Sequence, residues 1–421
     1  VFKLAEWKIY TPEGVQDILQ NECFFKKNLE DRIRKVFRSS GYYEVETPIV
    51  EFYDVFSTEE NIIPQETMFK FFDQQGRILV LRPDITIPIA RVAATKLKDA
   101  AYPLRISYIG NAFKYNELGG GKQKEFTQAG VEIIGVNTPE ADAGVIATAI
   151  DAVKATGLEN FQIDIGQVEF FKGLMEETGL SAEETEKMRV LIDRKDFLGI
   201  EELVKEHNIR DDLKELILDL PKLFGSTDVI DRVEKYPINE RSIKALNNLR
   251  SIINILDDYG LSKYVSVDLG MVQSLNYYSG TIFRGFTYGV GFPILSGGRY
   301  DRLVEKFGKS SPATGFSMGI NMVMMALDRQ KIEFEKPRVD TLVCCSEEGR
   351  KTAFRICETL RKQGLVVEMD INGGDFEAAR NYAGLKGIGG ILKVLDDENI
   401  EVHNLEKGEV SKVTISELLK A

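Results

Sequence analysis

From about residue 167 to 263 the chain carries Glu, Lys, Asp and Leu at helical spacing, as in IEELVKEHNIRDDLKELILDL. Strand-like sequence lies on both sides of that block. Upstream, MFKFFD and RILVLR flank QQG, a hairpin signal, and LRISYIGNAF and FTQAGVEIIG flank a polar, Gly-rich loop. Downstream, VSVDLG, TIFRGF and YGVGFPIL resume the strands and end in GGRYD. Strands that arrive in hairpin-connected groups predict a mainly antiparallel sheet with flanking helices, an α+β architecture interrupted by a helical insertion.

At 421 residues the chain exceeds one ordinary core, so two or three domains are expected. The boundary falls at EFEKPRVD, residues 333–340. Beyond it strand, helix, strand, helix and strand alternate, which predicts a small α/β domain with parallel strands. The expected domains are therefore 1–332 and 338–421. In the first, residues 21–40 place Phe25, Leu29, Ile33, Val36 and Phe37 on one helical face, with Gly41 as the stop. YYEVETPIV, residues 42–50, reads as a strand whose Pro48 belongs at an edge, a bulge or an interface. Helices are expected near 85–98 and over 139–156, with a strand at 161–166.

The net charge of −12 argues against a general nucleic-acid binder. Apolar runs are short and broken by charges, so no membrane span is expected. The N-terminus lacks the pattern of a signal peptide. The cysteines Cys23, Cys344, Cys345 and Cys357 have no CxxC spacing, and the only histidines are His207 and His403. No metal site is expected, and reduced thiols in a cytoplasmic compartment are the simplest reading.

Several short stretches invite chemistry. In GGGKQ, residues 119–123, Gln123 stands where a phosphate loop needs Ser or Thr, so a flexible hairpin tip is the better reading. LSGGRYDRL reads as a strand-to-helix turn at Gly297-Gly298 with Asp301 as a cap. In LRPDIT, Asp84 and Thr86 either grip an ammonium group or cap a helix. In MVQSLNYYSG, Tyr277 and Tyr278 precede a Ser279-Gly280 turn and follow the amide of Gln273, a composition suited to lining a pocket for a small polar ligand.

Taken in order, RPDIT, YIGNAFKYNELGGGKQKEFTQAGVEIIG, LNYYSG, GGRYDRL and GFSMGI resemble the catalytic domain of histidyl-tRNA synthetases, a class II synthetase fold. The resemblance begins at YTPEGVQDIL and runs to about residue 329, and the small C-terminal domain resembles that family's anticodon-binding domain. By position it implies that Asp84, Thr86 and Gln128 bind the α-amino end of histidine and that Glu132 and Tyr278 contact the imidazole, with Tyr277 and Gln273 completing the pocket. Asp84 replaces the family's usual glutamate.

The catalytic side departs from the family. Forming an aminoacyl-adenylate loads charge onto the α-phosphate, which preorganised cations must stabilise. The family's arginines fall on Lys114, Gln273 and Met322 here. Lysine loses the bidentate fork, and the other two carry no charge. A histidine pocket without this apparatus resembles the synthetase paralogues that serve as regulatory subunits of short-form ATP phosphoribosyltransferases. That resemblance implies no cofactor and a role in the first step of histidine biosynthesis. It also implies histidine as feedback effector, a catalytic phosphoribosyltransferase partner in a hetero-octamer of four plus four chains, and a regulatory homodimer within it. The C-terminal region 336–421 holds 13 Lys and Arg against 15 Asp and Glu, so tRNA is not expected as a partner. A working histidyl-tRNA synthetase and a free-standing histidine sensor are the alternatives.

Overall fold

The structure is a computed structural model that describes residues 9–57, 63–115, 123–272, 277–371, 373 and 375–418. It divides into two compact units, Val1–Phe334 and Glu335–Ala421.

The larger unit begins with α1 (Gln20–Ser39), whose Leu29, Ile33 and Phe37 are buried as the helical spacing requires, while Phe25 and Val36 pack at the margin of the same core. Twelve strands follow among the described residues: β1 (Tyr43–Glu44), β2 (Val50–Phe52), β3 (Lys70–Phe72), β4 (Ile78–Leu81), β5 (Leu104–Phe113), β6 (Glu125–Ile134), β7 (Phe161–Gln167), β8 (Phe224–Gly225), β9 (Val265–Asp268), β10 (Thr281–Thr287), β11 (Leu295–Arg299) and β12 (Ala313–Gly319). Nine of them form one sheet in the order β1-β5-β6-β12-β11-β10-β7-β9-β8. Only β1–β5 and β7–β9 pair in parallel, so the sheet is mainly antiparallel. β2, β4 and β3 make a separate three-stranded antiparallel sheet.

Helix α2 (Thr86–Thr95) and helix α3 (Pro139–Thr156) occupy the expected stretches. Thr138 caps α3, and its buried alanines, valines and isoleucines join the central core. The block read as an insertion folds as α4 (Val168–Thr178), α5 (Ala182–Asp193), α6 (Phe197–Glu206), α7 (Asp211–Asp219), α8 (Asp228–Val233) and α9 (Glu240–Asp258). It also contributes β8, which pairs with β9 at the sheet edge. Helix α10 (Ile320–Arg329) closes the unit.

Two strand expectations need correction. Residues 42–50 are not one strand, because Pro48 has no N–H and the Arg82 guanidinium draws off the local carbonyls. Its NH1 donates to Thr47 O at 2.6 Å and to Pro48 O at 3.4 Å, and its Nε donates to Asn111 O at 2.8 Å. Residues 288–294 form a turn, and the strand begins only at Leu295 because Pro293 cannot donate to a sheet interior. Gly297 and Gly298 are therefore strand residues and not a turn. A Cβ on Gly297 would sit 2.4 Å from Gly315 O, so the close approach of β12 requires glycine there.

In the smaller unit, β13 (Thr341–Cys345) pairs in parallel with β14 (Val367–Met369) and β15 (Gly390–Val394), alternating with α11 (Arg350–Lys362) and α12 (Phe376–Lys386). An antiparallel hairpin that the sequence reading missed, β16 (Asn399–Asn404) and β17 (Glu409–Thr414), extends this to five strands ahead of α13 (Ile415–Leu418).

Arg82 is 4% exposed and joins β5, the β1–β2 connection and β4 through one side chain. Arg82→Met leaves buried carbonyls without their charged donor, and the expected loss is about 2–5 kcal/mol in urea unfolding of the full chain.

Candidate functional site: a tyrosine-lined carboxylate pocket

Period-two alternation puts Gln128, Gly130 and Glu132 of β6 on one face of the large sheet. The register sets Tyr108 of β5 opposite Gly130, and Gly315 of β12 opposite Glu132. Glu132 is 1% exposed and lies flat across the sheet. That posture depends on glycine, because a Cβ at position 315 would fall 1.6 Å from Glu132 Oε2. Tyr108 donates its hydroxyl to Glu132 Oε1 at 3.2 Å, and Tyr300 donates to Oε2 at 2.5 Å. The Thr86 hydroxyl stands 3.2 Å from that of Tyr108.

Above this floor lies a cavity of about 230 Å³. Its described lining includes Asp84, Thr86, Lys114, Gln128, Glu132, Tyr277, Tyr278 and Tyr300, with Ser296, Gly297 and residues 315–317. The volume lies below the roughly 300 Å³ at which drug-sized pockets begin, so it suits one small metabolite. Asp84 has the position for both readings of the sequence, beside a helix start and at a cavity wall. One carboxylate oxygen accepts the Ile87 N–H at 3.1 Å, capping the first turn of α2, while the residue still lines the cavity. Gln128 accepts the Ile85 N–H at 3.2 Å. Tyr277 stacks on Tyr300 with centroids 5.5 Å apart and meets Tyr278 edge-on at 4.7 Å.

The tyrosine segment is fixed from behind. Ser279 N donates to Arg299 O at 2.8 Å, and Asp301 N donates to the Ser279 hydroxyl at 2.9 Å. Arg299 in turn makes a buried bidentate pair with Asp142 at 3.2 and 2.8 Å. Asp301 is not a helix cap: it accepts from Arg299 NH1 and from Ala313 N, both at 3.1 Å, tying β11 to β12.

Burial pushes the Glu132 carboxyl up to about 8, and the Asp84 charge adds to the rise, while the hydroxyls of Tyr300, Thr86 and Tyr108 oppose it. Tyr108, Tyr277, Tyr278 and Tyr300 are all held above the usual phenol range, first by burial, so they remain protonated donors. The pocket can thus offer a neutral carboxylic acid, the Asp84 carboxyl group and an amide to a compact polar ligand.

Of the residues singled out from the sequence, Asp84, Thr86, Lys114, Gln128, Glu132, Tyr277 and Tyr278 converge on this cavity. Gln273 lies outside the described residues. Met322 is absent from the cavity's described lining and packs against the central core. Sequence reasoning missed the parts played by Tyr108 and Tyr300, although both sit inside quoted motifs. The signal for Tyr108 was its placement two residues from Gly110 on the face shared with Glu132, and Tyr300 lacked a local signal because its reach depends on the β11–β12 register.

Residues 14–323 match the family model for histidyl-tRNA synthetase. A solved structure from Bacillus halodurans, described as an ATP phosphoribosyltransferase regulatory subunit/histidyl-tRNA synthetase, superposes with a TM-score of 0.83 at 33% identity, covering 92% of this chain and 98% of that one. A histidyl-tRNA synthetase from a Nostoc species gives a TM-score of 0.83 at 24% identity over 98% of each chain, which speaks for the fold. The fold is therefore that of a class II histidyl-tRNA synthetase-like protein. The ATP phosphoribosyltransferase regulatory subunit of Acetivibrio thermocellus is 96% identical over 418 residues, 99% of this chain and 100% of the relative. That of Ruminiclostridium cellulolyticum is 53% identical over 416 residues, 99% of each. The chain belongs to the family of ATP phosphoribosyltransferase regulatory subunits. These two curated relatives are named as regulatory subunits, so the synthetase fold here is that of a non-catalytic paralogue.

The raised Glu132 pKa fixes a sign for stability. The folded state binds a proton there that the unfolded chain releases near the ordinary carboxyl pKa, so this group's stabilisation is present at low pH and lost as pH rises through about 8. Glu132→Gln, a neutral isostere, should flatten the fall in unfolding free energy between about pH 5 and 8 that the parent chain shows in denaturant titrations.

Proposed function

We propose that this chain is the regulatory subunit that completes a short-form ATP phosphoribosyltransferase in the first step of histidine biosynthesis, and that free histidine is the effector held in the tyrosine-lined pocket. The observation that carries the reading is Glu132: a buried carboxyl clamped by two tyrosine hydroxyls, facing a cavity of about 230 Å³ that also presents Asp84 and Gln128. Asp84 complements an α-amino group, and the protonated Glu132 can donate to an imidazole nitrogen. A pocket of this kind rejects analogues that leave its buried polar groups unpaired, by up to about 10⁴-fold. Among the described lining residues there is no arginine, so none of them supplies the fork that adenylate formation would use.

In this reading the pocket recognises the amino acid and does not activate it. Feedback requires histidine to bind an inhibited assembly better than an active one, and by linkage the phosphoribosyl substrates then weaken histidine binding. The catalytic phosphoribosyltransferase is the partner, in a cytoplasmic hetero-octamer of four plus four chains, and tRNA is not a ligand. Calorimetry tests the pocket directly: Glu132→Ala should weaken histidine binding by about 10- to 100-fold, the worth of a hydrogen bond to a charged or strongly polarised group. Mixing the purified chain with its catalytic partner should stimulate phosphoribosyl-ATP formation and confer inhibition by histidine. Unchanged affinity in the variant, or robust histidine-dependent ATP–pyrophosphate exchange by this chain alone, would overturn the reading.

The regulatory homodimer is assigned to the three-stranded sheet. Phe52 and Phe71 both stand opposite Leu79, so they share a face, and Val50 joins them through its pairing with Leu81. Val50, Phe52 and Phe71 are exposed, and Ile49, which directly precedes β2, is too. An apolar face of this kind on a charged chain marks an interaction surface. Phe52→Asp should shift the isolated chain from dimer to monomer in sedimentation experiments while leaving its circular dichroism unchanged.

A further inference from the structure

Helix α4 opens the insertion, and its first two turns touch the tyrosine segment in three ways. Val168 is fully buried with Met271 and Ile282, and Tyr278 packs against that cluster. The Val168 N–H donates to Gly280 O at 3.1 Å. One turn on, the Lys172 ammonium lies 3.5 Å from Tyr278 O. Lys172 is itself aimed by Glu169, whose Oε1 it meets at 3.1 Å. The other Glu169 oxygen accepts two bonds from Arg241 of α9, at 2.8 and 2.5 Å. A chain of charge thus runs from α9 through Glu169 and Lys172 to the backbone of a pocket residue.

We infer that Lys172 is a positioning residue for the effector pocket: through the Tyr278 carbonyl it sets where the Tyr278 ring stands, and the helical insertion thereby tunes the affinity for histidine. The inference rests on the pocket reading above. Lys172 does not line the cavity, so it acts through Tyr278 and not on the ligand. Its side chain is 27% exposed, and those of Glu169 and Arg241 are 29% and 36% exposed, so the relay reaches the outer surface of the insertion. Whatever docks on α4 or α9 can compete for Glu169 and so alter the grip on Tyr278.

A thermodynamic cycle tests this on the full chain, with histidine titrated by calorimetry. Lys172→Met should weaken histidine by about 5- to 20-fold, the range of one charged hydrogen bond at a half-open site. Lys172→Arg should recover most of the affinity, and Lys172→Gln, which keeps a donor without charge, should fall between. In a Tyr278→Ala background the Lys172→Met change should have no further effect, because the group it positions is gone. Equal binding by Lys172→Met and the parent chain overturns the inference, as does the same fold-loss in both backgrounds. If the parent chain itself binds no histidine, the pocket reading falls and takes this one with it; if the parent binds and only the Lys172 variants fail to differ, the pocket reading survives.

Discussion

The carboxyl of Glu132 is the constraint around which the rest of the site is arranged. An unpaired acid at that depth would be expensive to bury, and among the described residues it is met by tyrosine hydroxyls. That choice has a chemical result. A nearby arginine would have favoured the ionised group and left only an acceptor, whereas burial pushes the carboxyl up to about 8 and lets it present a proton to a ligand. Strand β6, the tyrosine of β5, Tyr300 just beyond β11 and the glycine of β12 are all committed to this one side chain.

Much of the fold was legible because it rests on local patterns. Leu29, Ile33 and Phe37 recur at helical spacing, Thr138-Pro139 marks a helix start, and QQG sits where two strands must turn back. Errors arose where a distant partner overrides a local preference. Val45 to Pro48 look extended, yet Arg82, more than thirty residues away, takes the carbonyls that a continuous strand would have used. Gly297-Gly298 carries every mark of a turn, yet it lies in a strand where β12 crowds Gly297 and Thr281 of β10 crowds Gly298 too closely for any side chain. In the small unit, the hairpin that sets His403 opposite Val410 was invisible beside the stronger parallel pattern that precedes it.

The pocket was legible in a different way. Periodicity shows only that Gln128 and Glu132 share a face, and it took the family resemblance to connect them with Asp84 and Tyr278. The structure adds the missing geometry: the β4–α2 junction and the segment before β10 are brought over the same patch of sheet. Tyr300 could not be placed from sequence, since its contact with Glu132 spans 168 positions and depends on the register of three strands.

The insertion is more than an appendage, because β8 within it pairs with β9 at the end of the nine-stranded sheet. Without it β9 would present bare backbone donors and acceptors, the template on which other chains add strands. β8 is two residues long and leaves little edge of its own. A chain trimmed of its helical block would therefore lose more than six helices: it would gain a sticky margin, and its first symptom would be aggregation.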